Sequence, residues 1–234
     1  MREVAVIGVG VHPWGKFADK SVTQLCREAI EAALKDAGVQ WREIEAIAAA
    51  SSRFSGGKGW GLNGNDVIED MGPTGAPVYN LSAGCAAGGN AFNVGYSLVA
   101  GGLYDMVLVV GGEKMPKGFI QMSGVQEETD PEYVRQVCVG MPGPAFWGML
   151  CMRRMADYGT TEAQLAQIAV KAHQAGQHNS NARFRQLFTV EDVLKSRLVS
   201  WPLRLYEICP VSDGAAAVVI CSAQVARQRT TKPV

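Results

Sequence analysis

The sequence predicts an α/β protein: a mostly parallel sheet flanked by helices and interrupted by a helical insertion. Three observations carry this. Short apolar runs alternate with helix-like stretches in the order β-α-β-α-β-α-β through the first half of the chain. The fourth run, around Met106-Val-Leu-Val-Val110, is apolar throughout, as in a strand covered on both faces. Residues 115–205 then read as irregular chain and helices before a last apolar run, Ala215 to Ser222.

Each element has a local reason. Val4 to Val9 is a β-branched run ending in glycines, so a buried strand. Ser21 to Ala37 is an amphipathic helix with Ser21 or Thr23 as cap. Its inner stripe is Leu25, Ala29, Ala33 and Leu34, and Gly38 stops it. Glu45 to Ala50 is a second strand, and the Gly- and Ser-rich stretch 51–65 is a loop. Asp66 to Met71 is a short helix. Ala76 to Leu81 is a buried strand, Ala86 to Ala100 a helix, and Asp105 to Gly112 the fourth strand. Residues 116–144 hold glycines, prolines and a charged patch and read as irregular. Ala145 to Tyr158, Thr161 to Ala175 and Thr189 to Leu198 read as helices.

Composition bounds the function. The 234 residues suffice for a large core, and 47% apolar with 19% charged residues marks a globular chain. Net charge is zero, which argues against a broad nucleic-acid footprint. Six cysteines include no Cys-x-x-Cys pair, and there are three histidines, so no metal site is expected. The cysteines read as reduced thiols. No signal peptide or membrane-length apolar run is expected, because Glu3 and Gly8 interrupt the apolar start. The expected compartment is the cytoplasm, with peroxisome and mitochondrion left open.

Cys85 stands out, in Asn80-Leu-Ser-Ala-Gly-Cys-Ala-Ala-Gly-Gly-Asn90. It falls at a strand-to-helix turn, where free N–H groups and the helix dipole favour a thiolate. A thiolate attacks carbonyls. Gly84, Gly88 and Gly89 leave room for a substrate to approach. The competing reading is a buried structural cysteine.

Ser82-Ala-Gly-Cys-Ala-Ala-Gly-Gly resembles the nucleophile segment of the thiolases, which usually read Cys-Ala-Ser-Gly. Val109-Val-Gly-Gly-Glu-Lys-Met115, Tyr158-Gly-Thr-Thr161, Cys209-Pro-Val-Ser-Asp-Gly-Ala-Ala-Ala217 and the opening Val4 to Phe17 fit too. They are most similar to the sterol-carrier-protein-x or lipid-transfer branch. The resemblance implies a thiolase-like layered fold. Its core would be residues 1–114 and 206–224, with 115–205 as the loop domain over the pantetheine arm of CoA and 225–234 a linker or truncated end. The second half of the fold is expected to be absent.

The resemblance implies an acyltransferase of the acetyl-CoA acetyltransferase or 3-ketoacyl-CoA thiolase type, acting in lipid or sterol side-chain metabolism. Cys85 would carry the acyl group as a thioester. Its own N–H or a neighbouring one would serve the oxyanion, with Gly84 and Ala86 shaping the site. Glu113 would orient other groups; the alternative is a strand-end carboxylate paired to a cation. The family's base is a His in Gly-His-Pro and its second acid/base a Cys in Cys-Gly-Gly. Neither segment occurs here. No permanently bound cofactor is implied. A coenzyme A thioester would be the substrate, its phosphates met by locally placed Lys or Arg. Expected partners are a second copy, in a homodimer or higher oligomer, and a chain supplying the second half. The alternative is a lipid-binding or scaffold subunit, or an acyl-CoA aldolase subunit working with an OB-fold partner.

The remaining candidates read as structural. His12, His173 and His178 are expected at the surface or in loops. Cys138 reads as a buried thiol of the insertion, Cys209 and Cys221 as core, and Cys26 as facing a helix surface or seam. Asp213 is expected to hold a turn. Phe146, Trp147, Met149 and Met152 are expected to form a core-packing face rather than to touch an acyl chain. Gly8-Val-Gly10 is no dinucleotide motif, since Pro13 occupies the third glycine position and no helix opens there. The helix 86–100 is apolar around most of its circumference and is expected to be buried on all sides.

Overall fold

The computed structural model describes residues 1–52, 61–115, 139–229 and 234. Two compact units are present: Met1–Met115 with Ser212–Val234, and Pro116–Val211. The sheet unit takes its second segment from 212 to 234, where 206 to 224 is expected from the sequence.

The first unit is a five-stranded sheet in the order β1-β7-β4-β2-β3. Its strands are β1 (Val4–Gly15), β2 (Ala46–Ser51), β3 (Val78–Ser82), β4 (Met106–Lys114) and β7 (Asp213–Ser222). β2 pairs with β3 and β4 in parallel, while β7 runs antiparallel to both β4 and β1. β1, β2, β3 and β4 therefore point the same way, and their carboxyl ends share one edge. The mostly parallel, helix-flanked sheet expected from the sequence is present.

α1 (Val22–Ala37) covers one face. Ser21 Oγ accepts from Gln24 N–H at 3.1 Å and Gln24 Oε1 from Ser21 N–H at 2.7 Å, a reciprocal cap. Gly38 ends the helix in the left-handed conformation, φ 63°. α1 lies directly on β1: a Cβ at Gly10 would stand 2.0 Å from the Ala29 carbonyl oxygen, and one at Gly8 2.4 Å from that of Ala33. Close helix packing, not phosphate binding, thus accounts for Gly8-Val-Gly10.

α3 (Ala87–Ala100) packs on the opposite face, burying Ala87, Ala91, Gly95, Leu98 and Val99 against β2 and β4. Here one expectation is corrected. Gly88, Gly89, Asn93, Tyr96 and Ser97 are exposed, so α3 is buried on its sheet side only. A helix about 10 Å wide covers roughly two strands spaced about 4.8 Å apart. Beside it Val9 and Val11 of β1 stay 54% and 42% exposed.

α2 (Gly64–Met71) begins two residues before the expected start, capped by the Asn63 side chain. β1 continues through Pro13 to Gly15, past the glycines, by way of a register shift between His12 and Gly15. Glu113 and Lys114 belong to β4 rather than following it. Residues 223–229, where a linker is expected from 225, form α7 (Ala223–Arg229) with Ala226 fully buried.

The second unit holds α4 (Gly143–Tyr158), α5 (Glu162–Gly176), α6 (Val190–Lys195) and a hairpin of β5 (Leu198–Ser200) with β6 (Leu203–Arg204). The third helix stops before Leu198, which opens β5 instead. Ala166, Val170 and Val193 form its small core. Thr161 and Thr189 cap α5 and α6 reciprocally with Gln164 and Asp192.

Candidate functional site

Cys85 occupies a single 3₁₀ turn, Gly84–Ala86, between β3 and α3. Gly84 makes the turn: its φ of 54° is one that L side chains rarely adopt. Cys85 is exposed. The turn lies beyond the carboxyl end of β3, on the edge where α/β sheets bind ligands. Ala86 N–H donates to the Ala83 carbonyl at 3.0 Å, and Ala87 N–H donates to that of Gly84. Both donors are used inside the turn.

A hydrogen-bond relay braces the neighbouring strand ends. The Glu113 carboxylate accepts the N–H of Ser52, and Ser82 Oγ–H donates to the Ser52 carbonyl at 2.9 Å. The Glu113 carboxylate thus meets a backbone N–H and reaches the Cys85 strand through Ser52. Two strand spacings, about 10 Å, separate the β4 and β3 backbones.

His12 corrects an expectation. It lies on β1, buried to 4% exposure, not in a surface loop. Its Nδ1 stands 2.8 Å from the Pro13 carbonyl, and its Nε2 3.3 Å from Lys20 Nζ and 3.4 Å from Glu28 Oε2. β1 and β3 are the two outer strands, four spacings or about 19 Å apart. His12 is therefore out of reach of Cys85. In the second unit, His173 packs edge-on against Phe188, ring centroids 4.7 Å apart, and His178 is exposed.

The cysteines divide by environment. Cys26, on the inner face of α1, is fully buried against Gly112, and burial pushes its thiol up to about 12. Cys221 is buried in β7 and pushed up to about 11, again by burial first. Cys151 is raised by burial and then by the nearby Glu207. Cys209 is exposed, against the expectation of a core thiol, because it follows the last 3₁₀ turn of the second unit rather than entering β7. Cys138 lies outside the described residues.

Two further expectations change. Asp213 opens β7 and is 1% exposed; it accepts from Lys16 Nζ at 2.7 Å and Phe17 N–H at 3.0 Å rather than serving only a turn. Phe146, Trp147, Met149 and Met152 are exposed, Trp147 to 60%. α4 fully buries Gly148 alone, which packs on Ser200 and Trp201. Periodicity located an apolar face but not what covers it. Among the described residues, no group of acidic, His and Cys side chains forms a metal site, and no helix is long and apolar enough to cross a membrane.

This sheet, with a cysteine turn at the carboxyl end of an outer strand and a long insertion between β4 and β7, defines the class. The chain belongs to the thiolase family, whose N-terminal domain model matches residues 4–224. It is 37% identical over 240 residues to an acetyl-CoA acetyltransferase of Methanothermobacter thermautotrophicus, covering 100% of this chain and 61% of that protein. It is 31% identical to sterol carrier protein 2 of Gallus gallus, covering 99% of this chain and 43% of that protein. It superposes on the Ltp2-ChsH2(DUF35) aldolase with a TM-score of 0.81 and 26% identity, over 98% of this chain and 58% of that one. The chain thus spans about two-fifths to three-fifths of the length of these relatives.

Proposed function

We propose that this chain is the nucleophile-bearing half of a thiolase-type acyltransferase and that Cys85 carries the acyl group. The observation that supports this most is the exposed Cys85 in its glycine-made turn at the ligand-binding edge of a thiolase sheet. Cys85 Sγ attacks the carbonyl carbon of a CoA thioester. The new C–S bond forms, the bond to the CoA sulfur breaks, and the proton leaving Cys85 ends on that sulfur. With Ala86 and Ala87 N–H committed inside the turn, the Cys85 N–H is the oxyanion donor assigned here, and Gly84 and Ala86 shape its approach. Glu113 acts through Ser52 as a positioning residue.

The acid/base groups come from a second thiolase half. The uncovered Val9 and Val11 and the open side of α3 are where it docks, and a second copy completes a dimer. The lipid or sterol pathway and a cytoplasmic location remain part of this proposal.

Intact mass after incubation with short and long acyl-CoAs tests the reading. An acyl adduct on the native chain, lost in Cys85→Ala, supports it. Acyl-CoA turnover undiminished in Cys85→Ala overturns it. A second reading, an acyl-CoA aldolase or non-catalytic subunit working with an OB-fold partner chain, is favoured by the likeness to the aldolase, whose name includes a DUF35 component. It predicts no adduct and activity only with that partner.

A further inference from the structure

The dipeptide Asn63-Gly64 opens α2 and takes no part in the proposed chemistry. Both residues are fixed by packing. A Cβ at position 64 would stand 2.5 Å from Val78 Cγ1 and 2.6 Å from Ala49 Cβ, because α2 starts hard against β2 and β3. Asn63 is the cap: its Oδ1 accepts Asn65 N–H at 3.0 Å. The fold therefore joins a side-chain amide to the residue type whose backbone nitrogen has no side chain beside it.

Such a pair has an intrinsic reaction. The Gly64 nitrogen attacks Asn63 Cγ, a C–N bond forms, and the bond from Cγ to Nδ2 breaks. The proton of Gly64 N–H leaves with Nδ2 as ammonia. Water then opens the cyclic imide to aspartate or isoaspartate. The nitrogen reacts only when it is free to give up its proton and to swing toward Cγ.

Here it is held. Gly64 N–H donates to Asn80 Oδ1 at 2.8 Å, and Asn80 Nδ2 donates back to Asn63 Oδ1 at 3.3 Å. Asn63 is exposed, whereas Gly64 is buried. Water thus reaches the amide while the attacking nitrogen is withheld. We propose that Asn63 is a deamidation site kept latent by Asn80, whose side chain clamps both the attacking nitrogen and the amide under attack. Asn80 lies on β3, so the clamp exists only while α2 and β3 are packed together, and acyl transfer is not involved. Conversion to aspartate would keep the cap and add a negative charge at the start of α2, whereas isoaspartate would lengthen the backbone and displace the cap.

The test is peptide mapping of the full chain after prolonged incubation in mildly alkaline buffer, read as conversion of Asn63 to the two acids. Asn80→Ala is expected to convert about tenfold faster than the native chain, the rate factor of one lost hydrogen bond. Asn80→Asp retains an acceptor for Gly64 N–H and is expected to stay near the native rate. The native chain in urea gives the unclamped rate. Circular dichroism identifies which variants fold. If Asn80→Ala does not fold, amide exchange at Gly64 in the native chain decides the matter: protection supports the clamp, and exchange at the rate of an open peptide overturns it. Equal conversion in the native and the folded Asn80→Ala chains overturns the proposal, as does native conversion as fast as in urea.

Discussion

The Glu113 carboxylate holds the backbone N–H of Ser52, and through that residue the end of β4 is tied to the Ser82 hydroxyl at the end of β3. The strand that leads into the Cys85 turn is thereby braced from two strands away. Glu113→Ala removes the acceptor and leaves the Ser52 N–H without it. The expected cost is about 1–2 kcal/mol. Glu113→Gln keeps a carbonyl acceptor and is expected to cost less. Urea unfolding of the three proteins checks the order; equal losses for both variants would show that the charge, not the hydrogen bond, matters.

Thiol accessibility gives a second prediction. Cys85 and Cys209 are exposed, whereas Cys26 and Cys221 are buried with thiols pushed up to about 12 and about 11. Alkylation requires an accessible thiolate. Native protein treated with iodoacetamide at neutral pH is expected to be labelled at Cys85 and Cys209, with Cys26 and Cys221 reacting only after denaturation. Peptide mass mapping reads the sites. Rapid native labelling of Cys26 would contradict its placement under α1.

Cys26 also predicts a pH dependence. Its thiol is raised in the folded state from an ordinary value of 9.0 to about 12. Below pH 9 both folded and unfolded chains hold the proton, and the full stability is present. Between pH 9 and 12 the unfolded thiol ionises while the folded one does not, so stability falls as pH rises, by about 1.4 kcal/mol per pH unit for one group. Cys26→Ala is expected to flatten the stability profile above pH 9 relative to the native chain. Identical slopes in urea titrations from pH 8 to 10.5 would show that Cys26 does not govern this limb.

The parts of this molecule visible in one sequence are those set by local patterns. The apolar runs of β2 and β4, the cap at Ser21, the stop at Gly38 and the small residues around Cys85 each carry their own reason. What escaped depends on contacts distant in the chain. His12 looks like a loop residue because Pro13 and Gly15 follow it, yet a bulge lets β1 continue and buries the ring under Lys20 and Glu28. Lys16 and Asp213 are 197 positions apart, and only the β1–β7–β4 pairing brings them together. The apolar face of α4 was legible as a face, but its exposure depends on what the remainder of the structure places against it.

The α3 helix gives a prediction about its far end. Arg2 Nε donates to the Val99 carbonyl at 2.6 Å, and Arg2 Nη1 to Asp105 at 2.7 Å. A cation thus meets the last turn of the helix that begins beside Cys85, where the helix dipole is negative. Arg2→Ala is expected to lower stability by about 1–2 kcal/mol, while Arg2→Lys, which keeps the charge but not the forked geometry, recovers part of it. Thermal unfolding checks this; a loss confined to the Lys variant would contradict it.

The uncovered apolar surface makes the last prediction. Val9 and Val11 stand exposed beside α3, on a sheet face that one helix cannot span. Exposed apolar surface contiguous with a core drives association. The chain by itself is expected to show concentration-dependent association in sedimentation velocity, and the pair Val9→Lys with Val11→Lys is expected to shift it toward monomer. The charges face solvent in the single chain, so its fold is retained, whereas a partner packed on the strip would bury them without compensation. The same pair is therefore expected to abolish binding of a thiolase second half added in trans. A sharp monomer at high concentration in the unmodified chain would show that this face tolerates water and is not the docking surface.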